Sequence, residues 1–83
     1  MGEYLEFGET LQTKKVNNNT RLYLDLCYSN RKKVYVITLE HEQDAKEIAQ
    51  TELPKQAEQL FKMTYFMLKT DENEKGEQDY YGR

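Results

Sequence analysis

One histidine and one cysteine are the most reactive side chains in this 83-residue sequence, and neither sits in a pattern that performs chemistry. His41 lies between Glu40 and Glu42. If that segment is extended, both neighbours point away from the imidazole, and no spacing of other His, Cys, Asp or Glu residues suggests the three or four convergent ligands a metal needs. The expectation is a solvated histidine. Cys27 has no basic partner nearby in sequence, and a nucleophilic thiolate requires a base or a positive field to lower its pKa. It is expected to be an inert, half-buried thiol. The four glycines are scattered, so no glycine-rich loop precedes a helix to cradle a nucleotide phosphate. The abundant glutamates form no specific acid–base pair and read as a solvated helix face. A non-enzymatic protein without a cofactor is expected.

The cations are more informative. Between residues 10 and 39 lie Lys14, Lys15, Arg21, Arg31, Lys32 and Lys33 against Asp25 alone, a balance of +5. The other residues carry six cations against fourteen carboxylates, or −8, and together they give the formal net charge of −3. An acidic total therefore hides a basic segment. Arg21, Arg31, Lys32 and Lys33 fall at or beside expected hairpin ends, with Tyr23, Tyr28 and Tyr35 on the same strands. Cations meeting phosphates and a ring open to base stacking suit single-stranded nucleic acid. Strand parity turns Tyr23 outward with Arg21 and Tyr28 inward, so Lys14, Lys15, Arg21, Tyr23, Arg31, Lys32 and Lys33 form the candidate nucleic-acid site. A solubilising turn beside core tyrosines is the competing explanation.

These residues must be positioned by a small scaffold. A chain of this length buries only about 60% of its unfolded surface. With 37% hydrophobic and 33% charged residues, self-association is a reasonable supplement to its core. A homodimer is expected. A lone cysteine rules out an internal disulfide and favours a reducing compartment. The acidic start and the lack of any stretch near 20 apolar residues predict a cytoplasmic protein with no membrane partner.

Period-two alternation predicts strands over residues 4–7, 10–16, 21–28 and 33–39. Gly8 allows a bend after the first, and Leu11 points inward from the second. The turns are Asn17-Asn18-Asn19 and Ser29-Asn30-Arg31-Lys32. Leu22, Leu24, Leu26 and Tyr28 share one face of the third strand. Tyr35, Ile37 and Leu39 share one face of the fourth, with Val34 and Val36 on the other. From Gln43 the period becomes helical, with Ala45, Ile48 and Ala49 on one side. Pro54 is expected to kink or break that helical region, with Thr51 as N-cap of a second helix. In the second helix Leu53, Ala57, Leu60, Phe61, Thr64, Met67 and Leu68 should meet the sheet, leaving Met63 and Phe66 outside as a partner or dimer contact. The fold class is α+β: a four-stranded antiparallel meander of two hairpins followed by helix. It forms one domain over residues 1–69, with an acidic disordered tail over 70–83, where Tyr80 and Tyr81 are available for contacts.

Within this frame residues 20–50 resemble the transcriptional coactivator family of positive cofactor four. The resemblance rests on Arg21-Leu22-Tyr23-Leu24-Asp25-Leu26, on Arg31-Lys32-Lys33, and on Ile37-Thr38-Leu39-Glu40-His41-Glu42-Gln43 entering the helical region. It implies a homodimer whose curved sheets bind single-stranded DNA and act in transcription. The sequence departs from that family in its longer helical region interrupted at Pro54 and in having no tryptophan after Asp25. The second functional reading is a protein-binding regulator or inhibitor of the compact phage or mobile-element type. It would use Met63, Phe66 and the acidic carboxyl end, whose carboxylates can imitate phosphate.

Overall fold

Alternating leucines in the most regular hairpin fix the centre of the molecule. In the computed structural model, which describes residues 5–81 and the side chains of residues 5–71, β2 (Thr20–Ser29) and β3 (Lys32–His41) pair antiparallel without interruption, from Thr20↔His41 to Ser29↔Lys32. The pairing sets Leu22 opposite Leu39, Leu24 opposite Ile37 and Leu26 opposite Tyr35 on one face. Asn30 and Arg31 close the hairpin with φ of 51° and 68°. Positive φ at both central residues is the type I′ turn that matches the twist of two-residue hairpins.

The outer strands are β1 (Glu6–Asn17) and β4 (Asp44–Thr51), which complete a four-stranded antiparallel sheet in the order β1-β2-β3-β4. The single helix α1 (Pro54–Tyr81) then crosses one face and contacts all four strands. The fold is therefore the α+β meander with a following helix, but two of its strands are not those expected. Residues 6–17 form one strand, with register irregularities at Phe7/Glu9, Thr10/Gln12 and Lys15/Asn17, instead of two strands separated by a bend. Gly8 sits in the first irregularity. A Cβ there would lie 2.7 Å from the carbonyl oxygen of Leu26 and 2.8 Å from the Tyr28 ring, so only glycine lets the strand approach. Leu11 is left without a partner at the second irregularity and is 42% exposed, not inward.

The second correction is larger. Residues 44–51, expected to be helical, form β4, with Ala49 opposite Ile37 and Glu47 opposite Thr38, so that Ile48 is the extra residue of a bulge. Ala, Lys, Glu and Gln favour helix in isolation, but that preference is worth only tenths of a kcal/mol per residue. Ladder hydrogen bonds to β3 and the packing of Ala49 against the core outweigh it. Both free edges of the sheet carry bulges, which blunt them against edge-to-edge pairing.

Pro54 starts α1 and does not interrupt a helix, as suits a residue lacking an N–H at the first helical position. Thr51 lies upstream of the helix, and its hydroxyl oxygen accepts the Leu53 N–H at 3.2 Å. The core under α1 contains Val16, Leu22, Leu24, Ile37, Ala57 and Phe61, with Tyr35, Leu39, Ala49, Leu60, Tyr65 and Leu68 packed around it. Leu53 and Met67 do not join it and are 61% and 65% exposed. Leu53 precedes the helix, and the buried arc is centred on Ala57, Phe61 and Leu68, so its rim falls on Tyr65 and leaves Met67 outside. On the opposite face Cys27, Val34 and Val36 form a second small cluster against which Leu5 packs. The expected tail, including Tyr80 and Tyr81, falls largely outside the residues whose side chains are described.

Candidate nucleic-acid interface

The candidate cations occupy both ends and both faces of the sheet. At one end, Lys15 is opposite Arg21 and Arg21 is opposite Glu40 on the face away from α1. Tyr23 lies on the same face, opposite Thr38, and its hydroxyl donates to Glu40 Oε1. That bond raises the Tyr23 pKa above the ordinary value, with burial adding to the effect and a hydrogen bond from Arg21 opposing it. Arg21, Tyr23 and Glu40 thus form one linked group. Lys14 belongs to the other face, where its Nζ lies 4.9 Å from the centroid of the Tyr65 ring, a cation–π contact that ties the edge strand to α1.

At the other end, Arg31 sits in the left-handed turn, with Lys32 and Lys33 following on β3. All three are exposed. Lys32 is opposite Ser29 and shares the outer face with Val34, whereas Lys33 is opposite Tyr28 and shares the α1 side. Eight residues of strand separate Arg21 from Ser29, roughly 26 Å at about 3.3 Å per residue. The expected site is therefore brought together as two groups, Lys15-Arg21-Tyr23 and Arg31-Lys32-Lys33.

Between them the outer face is not uniformly basic. Asp25 accepts hydrogen bonds from Thr10 at 2.8 Å and Thr38 at 3.3 Å, and Glu47 stands beside Thr38. Among the described residues this face carries Lys15, Arg21 and Lys32 against Asp25, Glu40 and Glu47, three cations against three carboxylates. The charge segregation seen along the sequence becomes alternation across strands, because β3 and β4 bring Glu40 and Glu47 beside the basic hairpins. At the other end the carboxylates are fewer: Glu6 lies in the same cross-strand row as Lys33, beyond Tyr28, and Glu52, just after β4, lines a hollow together with Lys32. The closest acid–base contact among the described residues is His41 Nε2 to Glu42 Oε2 at 4.0 Å, and it lies at the opposite end.

Compared with known protein families, with curated proteins and with solved structures, the chain matches none.

Two hollows flank the cationic groups and carry no signal in the sequence. One, of about 340 Å³, is lined by Ser29, Asn30, Lys32, Val34, Gln50 and Glu52 among others. The other, of about 430 Å³, is lined by Asn18, Asn19, Arg21, Glu40, Glu42 and Gln43. Gln50, Glu52 and Gln43 come from or beside β4, so neither hollow can be assembled if that segment is helix. His41 lies next to the second, where its Nδ1 is 2.8 Å from Thr20 Oγ1. Cys27 is buried, and burial first, then the Asp25 charge, pushes its thiol pKa up. A thiol held protonated in this way is a poor nucleophile at neutral pH.

Proposed function

We propose that the protein is a small non-enzymatic binding module that works as a cytoplasmic homodimer and holds single-stranded nucleic acid at the β2–β3 end of its sheet, in a regulatory role. The observation that carries this reading is the exposed run Arg31-Lys32-Lys33, presented on a fixed turn with no described carboxylate paired to it. The three cations stand at one end of the sheet, Lys32 toward the outer face and Lys33 toward α1, so a phosphate backbone passing round that end can release counterions on meeting each of them. The hollow beside Lys32 is lined by Ser29, Asn30 and Gln50, which can take the base or sugar of an adjoining nucleotide, and by Glu52, which keeps the phosphates on the Arg31-Lys32 side. Tyr23 offers a ring on the outer face, and Lys15 and Arg21 extend the contact to the far end.

Anisotropy titrations of labelled single-stranded and duplex oligonucleotides over a range of salt test this reading. Wild-type protein should bind the single strand more tightly, and changing Arg31, Lys32 and Lys33 to Ala should lower the slope of log K against log salt by about 2, at about 0.7 per lost contact. Absence of binding at low salt would reject the proposal. Equal binding by the triple variant would place the contact elsewhere.

A further inference from the structure

The outer side of α1 carries an apolar stripe that the fold does not use. Met63 is 59% exposed, Phe66 71% and Met67 65%. Gln59, Met63, Phe66 and Thr70 succeed one another at intervals of four, three and four, the spacing with which one helix presents a seam to another. Next to the stripe, Thr64, Phe66, Met67, Leu68, Thr70 and Asp71 line a hollow of about 390 Å³. The seam therefore offers both projecting side chains and a depression to receive them.

The charge along the helix identifies the occupant. Residues 54–69 contain Lys55, Lys62 and Lys69 against Glu58, a balance of +2. Residues 70–81 contain Asp71, Glu72, Glu74, Glu77 and Asp79 against Lys75, or −4. A helix basic in its first part and acidic in its last is complementary to itself when reversed, and repels itself when parallel. Lys69 is already engaged, donating to the Val16 carbonyl at 3.0 Å, whereas Lys55 and Lys62 are exposed beside the stripe.

We infer that α1 pairs antiparallel with α1 of a second copy, Met63 of each against Phe66 of the other, with the lysine-bearing part of one helix alongside the acidic part of its mate. In this register Gln59 falls opposite Thr70 of the second copy. Met63 enters the hollow bounded by Phe66, Met67 and Thr70. The two sheets then lie on the far sides of the helix pair, with their outer faces and β2–β3 turns free. This inference rests on the homodimer in the proposal above and not on its nucleic-acid ligand.

Sedimentation velocity at micromolar concentrations should give twice the chain mass. Phe66→Ser and Met63→Gln should each weaken pairing about tenfold or more while leaving the circular dichroism spectrum unchanged. Lys55→Glu combined with Lys62→Glu should weaken it too, as should added salt. A wild-type monomer, or a dimer indifferent to Phe66→Ser, overturns the inference. Orientation is read by oxidation in a Cys27→Ser background: Gln59→Cys with Thr70→Cys should cross-link two copies, and Gln59→Cys alone should not. Self-linking by Gln59→Cys overturns the antiparallel arrangement. A wild-type monomer that still binds oligonucleotide fails this inference and the homodimer it rests on but leaves the nucleic-acid reading standing, and a dimer that binds no oligonucleotide fails only the nucleic-acid reading.

Discussion

The β2–β3 and β3–β4 hairpins are built around the same two-residue turn, yet one is plain in the sequence and the other is disguised. Asn30-Arg31 has φ of 51° and 68°, and Glu42-Gln43 has 51° and 78°. What differs is the strand each turn leads into. β2 and β3 alternate Leu, Tyr, Val and Ile and bury Leu22, Leu24 and Ile37 beneath Phe61. β4 is Asp-Ala-Lys-Glu-Ile-Ala-Gln-Thr, mostly exposed, and gives only Ala49 to the core. The first hairpin supplies the burial that stabilises the sheet, and the second uses a template already made. An edge strand that borrows its conformation from a neighbour need not carry strand-forming residues.

The sharpest test of this asymmetry is to remove a side chain on each side of it. Phe61→Ala deletes the helix residue seated on the central hairpin and should cost about 3–5 kcal/mol by urea denaturation, a large part of the roughly 5–15 kcal/mol typical of a domain. Ile48→Ala on β4 trims a bulge side chain that is 39% exposed and belongs to neither core cluster, and should cost no more than about 1 kcal/mol. A large loss at Ile48 would mean that β4 contributes to the core as the central strands do, and the contrast would fail.

Legibility in the sequence divides along the same line. Leu22, Leu24, Tyr35, Ile37, Val34 and Val36 announce their faces because a buried strand must alternate. The α+β class and the inward arc of Ala57, Phe61 and Leu68 come from period alone. β4 is hidden because its residues prefer helix and because Glu-Gln carries no turn signature. Leu11 defeats the alternation because a bulge shifts parity without leaving a mark in composition. For the candidate site, the cationic residues are legible but their grouping is not: Glu40 and Glu47 reach Arg21 and Tyr23 only through cross-strand register. The apolar stripe is half visible, since Met63 and Phe66 fall off the sheet-facing arc, while the helical period places Met67 in the core.

The matched turns allow a finer comparison. Left-handed backbone costs a non-glycine residue about 1 kcal/mol, and glycine adopts it freely. Gln43→Gly and Arg31→Gly should therefore each raise stability by about 0.5–1 kcal/mol, measured by chemical denaturation. Their functional consequences should diverge. Gln43→Gly should leave oligonucleotide affinity unchanged, whereas Arg31→Gly should make the protein more stable and a weaker binder. Weaker binding by both variants would indicate that turn rigidity, and not the Arg31 charge, matters.

The smallest expected effect lies at the other end of the sheet, where Glu40 of β3 holds the hydroxyl of Tyr23 on β2. The pKa of Tyr23 is raised from its ordinary 10.0, so the folded protein keeps this proton where the unfolded chain releases it. The resulting stabilisation is fully present below about pH 10 and is lost as pH rises through the folded-state value. Because Tyr23 is close to solvent, screening keeps the effect small. Absorbance titration in the phenolate band should show a late step above the ordinary tyrosine range, and Tyr23→Phe should remove it. Glu40→Gln should bring it back toward the ordinary value, since the carboxylate is the main cause of the rise. If the late step survives both substitutions, another tyrosine is responsible, and the link between Tyr23 and Glu40 does not tie the outer face of the central hairpin together.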